Sequence, residues 1–268
     1  MAVDFKDTSL SNIIELRGVG QSYDEGANWV IKDLDLLIED KPDQGQFICI
    51  LGPSGSGKST ILRYIANLQL PTTGHVLIDG KPASPDHRVS MVFQQYSSLP
   101  WMTVLDNVSL ALRYKGMPRK ERDAQALELI KRVGLEGHEH KYAQYPTLSG
   151  GQLQRVAIAR SLLANPRILL MDEPFGALDI RTRLQMQDLL SDLWHSFQST
   201  VVFVTHDISE AVYLADEIYI LDRQPSHIVH RVAVDLPLHR DRGVKRSKQY
   251  DEIVHQVEDL MISLDSKA

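Results

Sequence analysis

One cysteine, Cys49, occurs in the 268 residues, so no disulfide can form within the chain. That fits a reducing compartment and removes disulfide-stapled secreted scaffolds. Long apolar runs are missing too: the longest, 47–51 and 201–204, are strand-sized, far short of the ~20 residues a bilayer span needs. Residues 1–12, which include Asp4, Lys6 and Asp7, hold no apolar stretch of the secretory-leader kind. A place at a membrane would therefore require another protein to hold the chain there. Positive charge is in the minority, with 29 Lys+Arg against 35 Asp+Glu and a net charge of −6. This argues against a nucleic-acid coat, and no nucleic-acid partner is expected. Neither an internal repeat nor a low-complexity tract is visible.

What remains is an ordinary globular composition, 43% hydrophobic and 24% charged, of a length that suggests one to two domains at about 150 residues each. Apolar, β-branched runs at 13–19, 30–38 and 46–51 predict strands, and 75–78 and 89–93 add shorter ones. Residues 59–68 carry a helical pattern in Ile61, Leu62, Ile65 and Leu68. From 104 to 164 Leu, Ala, Glu, Lys and Arg dominate, which predicts a mostly helical stretch. Strand signals return at 167–171, 201–205 and 217–221, with a helix over 182–197 between the first two. Buried parallel strands joined by crossover helices suit this order, and a helical insert in such a core implies two subdomains.

The chemistry begins at Gly52-Pro53-Ser54-Gly55-Ser56-Gly57-Lys58-Ser59-Thr60, which fits G-x-x-x-x-G-K-[ST] between a strand and a helix. Glycines let the backbone curl so that amide N–H groups face phosphate oxygens, and the helix N-terminus adds partial positive charge. Lys58 would reach the β- and γ-phosphates and the Ser59 hydroxyl would ligate Mg²⁺. A second cluster, Ile168-Leu169-Leu170-Met171-Asp172-Glu173, reads as a buried strand delivering two carboxylates at its C-terminal edge. Asp172 suits Mg²⁺ as an oxygen ligand. Glu173 suits a general base or orienter of an attacking water.

Leu148-Ser149-Gly150-Gly151-Gln152, continuing to Arg160, supplies a second anion-binding helix terminus, with Ser149 as N-cap and two bare glycine amides. This stretch resembles the signature of ATP-binding-cassette (ABC) ATPases. The resemblance implies an α/β fold: a P-loop NTPase, RecA-like core with a β subdomain and a helical signature subdomain at about 95–165. It places the ATPase domain at 1–240 and a C-terminal amphipathic helix at 241–268. It also implies a head-to-tail dimer, in which the P-loop of one subunit and the signature of the other sandwich each ATP. Further positions follow in order. Tyr23 resembles the aromatic that stacks on adenine. Gln94 resembles the glutamine that contacts Mg²⁺ and water, with Gln95 next to it as the alternative. Asp179, in Ala177-Leu178-Asp179, resembles the loop that couples the two ATP sites. His206 resembles the histidine that hydrogen-bonds the γ-phosphate.

Residues 91–108, with Leu99-Pro100-Trp101 as the distinctive part, are similar to the ATPases of nitrate, sulfonate, taurine and bicarbonate importers; 234–242 also resembles that subfamily, except that His239 intervenes between Pro and Arg. The implied partners are an integral-membrane permease, a second ATPase subunit (identical or different) and, indirectly, an extracytoplasmic substrate-binding protein. The implied place is the cytoplasmic face of the inner membrane. The competing class is a soluble ABC ATPase not coupled to transport; the single cassette and the Leu-Pro-Trp stretch favour the importer. Leu99, Trp101 and Met102 either receive the permease or pack the helical subdomain. Tyr250, Ile253, Val254, Val257, Leu260, Met261 and Leu264 form an apolar stripe expected to pack on its own domain. Ahead of it Arg240, Arg242, Lys245, Arg246 and Lys248 read as a solvated basic linker, and Cys49 as a buried small residue.

Overall fold

The computed structural model describes residues 11–41, 45–95, 97–194 and 196–265. The expectation drawn from residues 1–12 lies mostly outside that set, and Tyr96 lies outside it as well. In chain order the first half runs β1 (Asn12–Ser22), β2 (Trp29–Glu39), β3 (Gln46–Leu51), α1 (Lys58–Ile65), β4 (Thr73–Ile78), β5 (Lys81–Pro82), β6 (Val89–Val92), α2 (Val104–Tyr114) and α3 (Arg119–Arg132). The second half runs α4 (Gly150–Leu163), β7 (Ile168–Asp172), α5 (Ile180–Trp194), β8 (Thr200–Thr205), α6 (Ile208–Leu214), β9 (Glu217–Leu221), β10 (Ile228–Ala233) and α7 (Lys248–Asp265). The chain divides into two compact units, residues 1–87 with 200–268, and residues 88–199.

In the first unit β3 is flanked by β8 and β9, both parallel to it, and β10 closes on β9 antiparallel. All six residues of β3 are buried, which is why this strand reads as an unbroken apolar run rather than an alternating one. Cys49 sits at its centre with no exposed surface; burial, and after it the nearby Glu210 charge, push its thiol well above the usual range. The buried parallel strands expected from the element order are β3 with β8 and β9; the N-terminal strands pair differently. β2, β1, β4 and β5 form a separate sheet whose pairings are all antiparallel. Only residues 23–28 join β1 to β2, and a parallel connection needs a crossover of a dozen or more.

Helix α7 turns Tyr250, Ile253, Val257 and Leu264 inward. It is tied to α6 where the Tyr250 hydroxyl donates to Ser209 O at 3.1 Å. The apolar stripe thus packs on its own unit. The basic stretch before it is not the uniformly solvated linker expected. Arg240 is 4% exposed; its guanidinium donates to Pro237 O, Tyr213 O and Ala215 O and pairs with Asp216 at 3.1 Å. The Lys245 ammonium lies 4.0 Å from the Tyr213 ring centroid. Burying a guanidinium is tolerable because four partners occupy its donors.

In the second unit β6 and β7 pair in parallel, Val92 opposite Met171. The stretch expected to be helical holds α2, α3 and α4, with a long loop over 133–149. Helix α4 is buried on nearly every side, as a helix packed against α2, α3, α5 and β6 must be. Among the described residues no helix is long and apolar enough to cross a membrane.

Val257→Ala, which empties a fully buried position on α7, should lower unfolding stability by about 2 kcal/mol. His255→Ala on the exposed face of the same helix should change it by less than about 0.5 kcal/mol. Urea titrations followed by circular dichroism measure both.

Candidate functional site

The phosphate-loop residues Gly52–Gly57 form the turn from β3 into α1. Gly55 and Gly57 adopt φ of +82° and +81°, a region costly for any side chain. Gly57 is doubly constrained, since a Cβ there would lie 2.8 Å from Ile31 Cγ1. Gly57 is also the N-cap of α1 and offers no side-chain hydrogen bond, so the first-turn amides of this helix have no side-chain cap. Lys58 is 4% exposed, and its ammonium donates to Gly52 O and Pro53 O, each at 2.9 Å. The Ser56 hydroxyl is 2% exposed and makes no hydrogen bond. An unsatisfied buried hydroxyl costs roughly 1–3 kcal/mol. Uncapped amides, a lysine in reach and an orphaned hydroxyl together fit an anion of phosphate type.

Parallel register places the other loops of this unit. Leu51 lies opposite Thr205, so the phosphate loop and His206 leave neighbouring strands at the same edge, where open α/β sheets put their ligands. His206 is exposed, and the turn that carries it is fixed from below. The Thr205 hydroxyl donates to Glu210 Oε2 at 2.8 Å and accepts from Asp207 N at 3.0 Å. The Asp207 carboxylate in turn accepts from Glu210 N at 3.0 Å and caps α6. Sequence reading passed over Thr205 and Glu210, although Asp207 with Glu210 three residues later is a legible helix-start pattern. On the far side of the loop the Gln224 amide donates to Gly55 O at 2.7 Å.

Tyr23 stands 67% exposed on the turn after β1. The Asp24 carboxylate accepts from the Asn28 side chain at 2.6 Å and from Asn28 N at 2.7 Å. These bonds, with one from Ser22, hold its carboxyl below the usual range.

In the second unit Asp172 ends β7 at 7% exposure, and Glu173 follows with φ +41°. A non-glycine residue held there is strained, which is common at functional turns. Gly176 reports what surrounds Glu173: a Cβ on it would lie 3.7 Å from Gln94 Nε2 and 3.8 Å from Glu173 Oε2. The Gln94 amide and the Glu173 carboxylate therefore flank one point, and of the two candidate glutamines it is Gln94 that lies there.

The signature segment starts α4 with a capping box. Ser149 Oγ accepts from Gln152 N at 3.3 Å while Gln152 Oε1 accepts from Ser149 N at 2.9 Å. Gly150 opens the helix, as the N-cap at Ser149 requires, and the cap takes both glycines into the first turn. At Gly151 a Cβ would meet Thr182 Cγ2 at 2.6 Å. The same Thr182 donates its amide to Asp179 Oδ1 at 3.0 Å; hydrogen bonding from the Thr182 side chain, and after it from this amide, holds the Asp179 carboxyl below its usual range. Thr182, which the sequence did not single out, thus brings Asp179 and the signature helix together.

Trp101 is 71% exposed. Asn107, fully buried on α2, accepts from Leu99 N and donates to Leu99 O, Met102 O and Thr103 O at 2.8–3.2 Å. That grip fixes the 99–103 loop with the indole outward, so Trp101 does not serve as packing for its own unit. No periodicity flags a buried asparagine in such a role.

The family profile described as "ABC transporter" matches residues 38–176. The chain is 50% identical over 243 residues to an uncharacterized ABC transporter ATP-binding protein of Methanocaldococcus jannaschii, covering 90% of this chain and 86% of that one. It is 41% identical to the nitrate import ATP-binding protein NrtD of Synechocystis (88% and 89% covered) and 43% identical to the taurine import ATP-binding protein TauB of Pseudomonas putida (83% of each). Among solved structures, a dimeric ATP-binding cassette in a post-hydrolysis state, bound to ADP and Pi, aligns with TM-score 0.70 and 36% identity over 84% of this chain and 100% of that one. With the phosphate loop, the acid-ended strand and the capped signature helix in place, the chain belongs to the ABC transporter family, as one of its ATP-hydrolysing, ATP-binding subunits.

Proposed function

We propose that this chain is the energy-coupling subunit of an importer for a small anion or an organosulfonate-type solute, of the nitrate, sulfonate, taurine or bicarbonate class. The observation that carries this reading is identity above 40% with ATP-binding subunits of nitrate and taurine importers over more than four fifths of the chain. In this role it is peripheral to the cytoplasmic face of the membrane, bound to a permease. The substrate-binding protein outside the membrane engages it only indirectly.

Each site residue takes a part set by its chemistry. The amides of Gly52, Ser54, Gly55, Ser56, Gly57, Ser59 and Thr60 cradle the phosphates, Pro53, which has no N–H, shapes the turn, and Lys58 moves from the Gly52 and Pro53 carbonyls to the β- and γ-oxygens, a charge-assisted exchange. Tyr23 stacks on the adenine. Ser149, Gly150, Gly151 and Gln152 of a second subunit close on the γ-phosphate, with Asp179 at the junction; the partner cassette is identical in the simplest assembly. Ser59, Asp172 and Gln94 each offer an oxygen of the kind Mg²⁺ takes and, as the family resemblance implies, would hold an ion that neutralises charge on the β- and γ-phosphates. Glu173 orients the attacking water, and His206 with Lys58 stabilises charge that develops on the γ-phosphate. ATP binding closes the dimer and drives the permease outward-facing; hydrolysis reopens it. The outward Trp101 suits insertion into a permease surface.

Glu173→Gln should bind ATP with near wild-type affinity yet hydrolyse it at least about 100-fold more slowly, accumulating as a closed dimer in size-exclusion chromatography. Equal turnover in the two proteins would remove Glu173 from this role. Lys58→Ala should weaken ATP binding about 10- to 100-fold, the loss expected for a hydrogen bond to a charged group; calorimetry reads it directly. Tagged Glu173→Gln, captured with ATP from detergent-solubilised membranes, should bring down a multi-span permease. Adding Trp101→Ala should abolish that recovery while leaving ATPase activity of the otherwise wild-type isolated subunit intact. Recovery of soluble partners alone would overturn the importer reading in favour of a soluble ABC ATPase.

A further inference from the structure

Between the helix that follows the phosphate loop and the exposed ring of Tyr23 runs a continuous chain of hydrogen bonds. Tyr64, 1% exposed on α1, donates its hydroxyl proton to Gln21 Oε1 at 2.6 Å. The same Gln21 oxygen accepts from Gln69 Nε2 at 3.1 Å, and Gln69 Nε2 also reaches the Tyr23 hydroxyl at 3.3 Å. Gln21 is itself fixed, 6% exposed, with its amide donating to Ser22 O at 3.0 Å. The strand end that carries Tyr23 is clamped alongside. Thr72 Oγ1 donates to Ser22 O and accepts from Ser22 N, each at 3.2 Å, and Thr72 N donates to Gly20 O at 2.8 Å. Burial raises the Tyr64 phenol far above its usual range, so it remains a donor at any physiological pH.

We propose that Gln69 is a positioning residue for the base platform: it holds the Tyr23 ring in one orientation and ties that orientation, through Gln21 and Tyr64, to the helix that begins at Lys58. The proposal rests on the reading of Tyr23 as the residue that stacks on adenine. A tyrosine 67% exposed has little packing to fix its two side-chain torsions, and stacking requires one plane. Whatever ordering the hydroxyl contact supplies beforehand is not lost on binding, which is how preorganisation raises affinity. Because the contact is to the hydroxyl and not the ring face, it leaves the face free for a base. The same network gives the adenine end and the phosphate end a shared support, so a nucleotide meets both in one geometry. Inorganic tripolyphosphate, which has no base, uses only the phosphate end.

The test measures binding of ATP and of tripolyphosphate to the full chain by calorimetry, with thermal melts confirming that each variant is folded. Gln69→Met keeps length and packing but removes the donor; Tyr23→Phe keeps the ring but removes the acceptor. Each should weaken ATP about 3- to 10-fold, with tripolyphosphate unchanged. The double variant should be no weaker than either single one, because both delete the same bond. Multiplying effects, an equal loss for tripolyphosphate, or unchanged ATP affinity in Gln69→Met would each overturn the proposal. Tyr23→Ala separates the two levels. If it leaves ATP affinity unchanged, the platform reading fails and the proposal with it. If it weakens ATP while Gln69→Met does not, the platform stands and the role of Gln69 alone is rejected.

Discussion

The Lys58 ammonium is 4% exposed and takes Gly52 O and Pro53 O, both at 2.9 Å, as hydrogen-bond partners. A buried cation costs several kcal/mol unless its donors are satisfied, so the loop must curl back over its own lysine. That curl requires left-handed backbone at Gly55 and Gly57. It also requires a bare Cα at Gly57, because Ile31 of β2 already fills the space a side chain would need. Gln224 fastens the outer turn through Gly55 O. A loop held in this shape leaves the first-turn amides of α1 without a side-chain cap, and in the proposed role a phosphate would take over the lysine at little cost in reorganisation.

Both units use the same device to bring loops together. In the first, Leu51 and Thr205 are level in parallel strands; in the second, Val92 and Met171 are. Strand ends in register deliver the residues that follow them to one edge: the glycine loop and His206 in one unit, Gln94 and the Asp172–Glu173 pair in the other. Under each edge buried polar groups secure the loops. Thr205 and Glu210 do so for His206, and Asn107 does so for the turn that displays Trp101. Because these bonds are made by side chains that are themselves buried, they are expensive to leave unmade, and the loops are correspondingly specific in shape.

Much of this was legible along the chain. The unbroken apolar run 47–51 of β3 reads as a strand buried on both faces. Ser149 with Gln152 three residues on reads as a helix start, and the glycines at 52, 55 and 57 ahead of Lys58 read as a turn. Reading failed where a residue's role depends on a distant neighbour. Alternation does not state strand direction, so the antiparallel pairing of the N-terminal sheet is not legible in its own residues. Arg240 read as one charge in a basic run, yet its partners Tyr213 and Asp216 lie 27 and 24 positions away. Trp101 was undecided between core and surface for the same reason.

Helix caps, glycine turns and acid-ended strands are choices made among residues within about four positions of one another, where sterics and hydrogen-bond geometry act through the local backbone. The family, the phosphate chemistry and the carboxylate pair therefore belong to the sequence itself. Which face of the 99–103 loop meets solvent, which glutamine stands beside Glu173, why Gly151 admits no side chain and how Gln69 comes to touch Tyr23 belong to the fold. Those contacts join residues 31 to 82 positions apart in Gly151–Thr182, Gln69–Tyr23 and Gln94–Gly176. Only packing of whole elements sets distances across such separations.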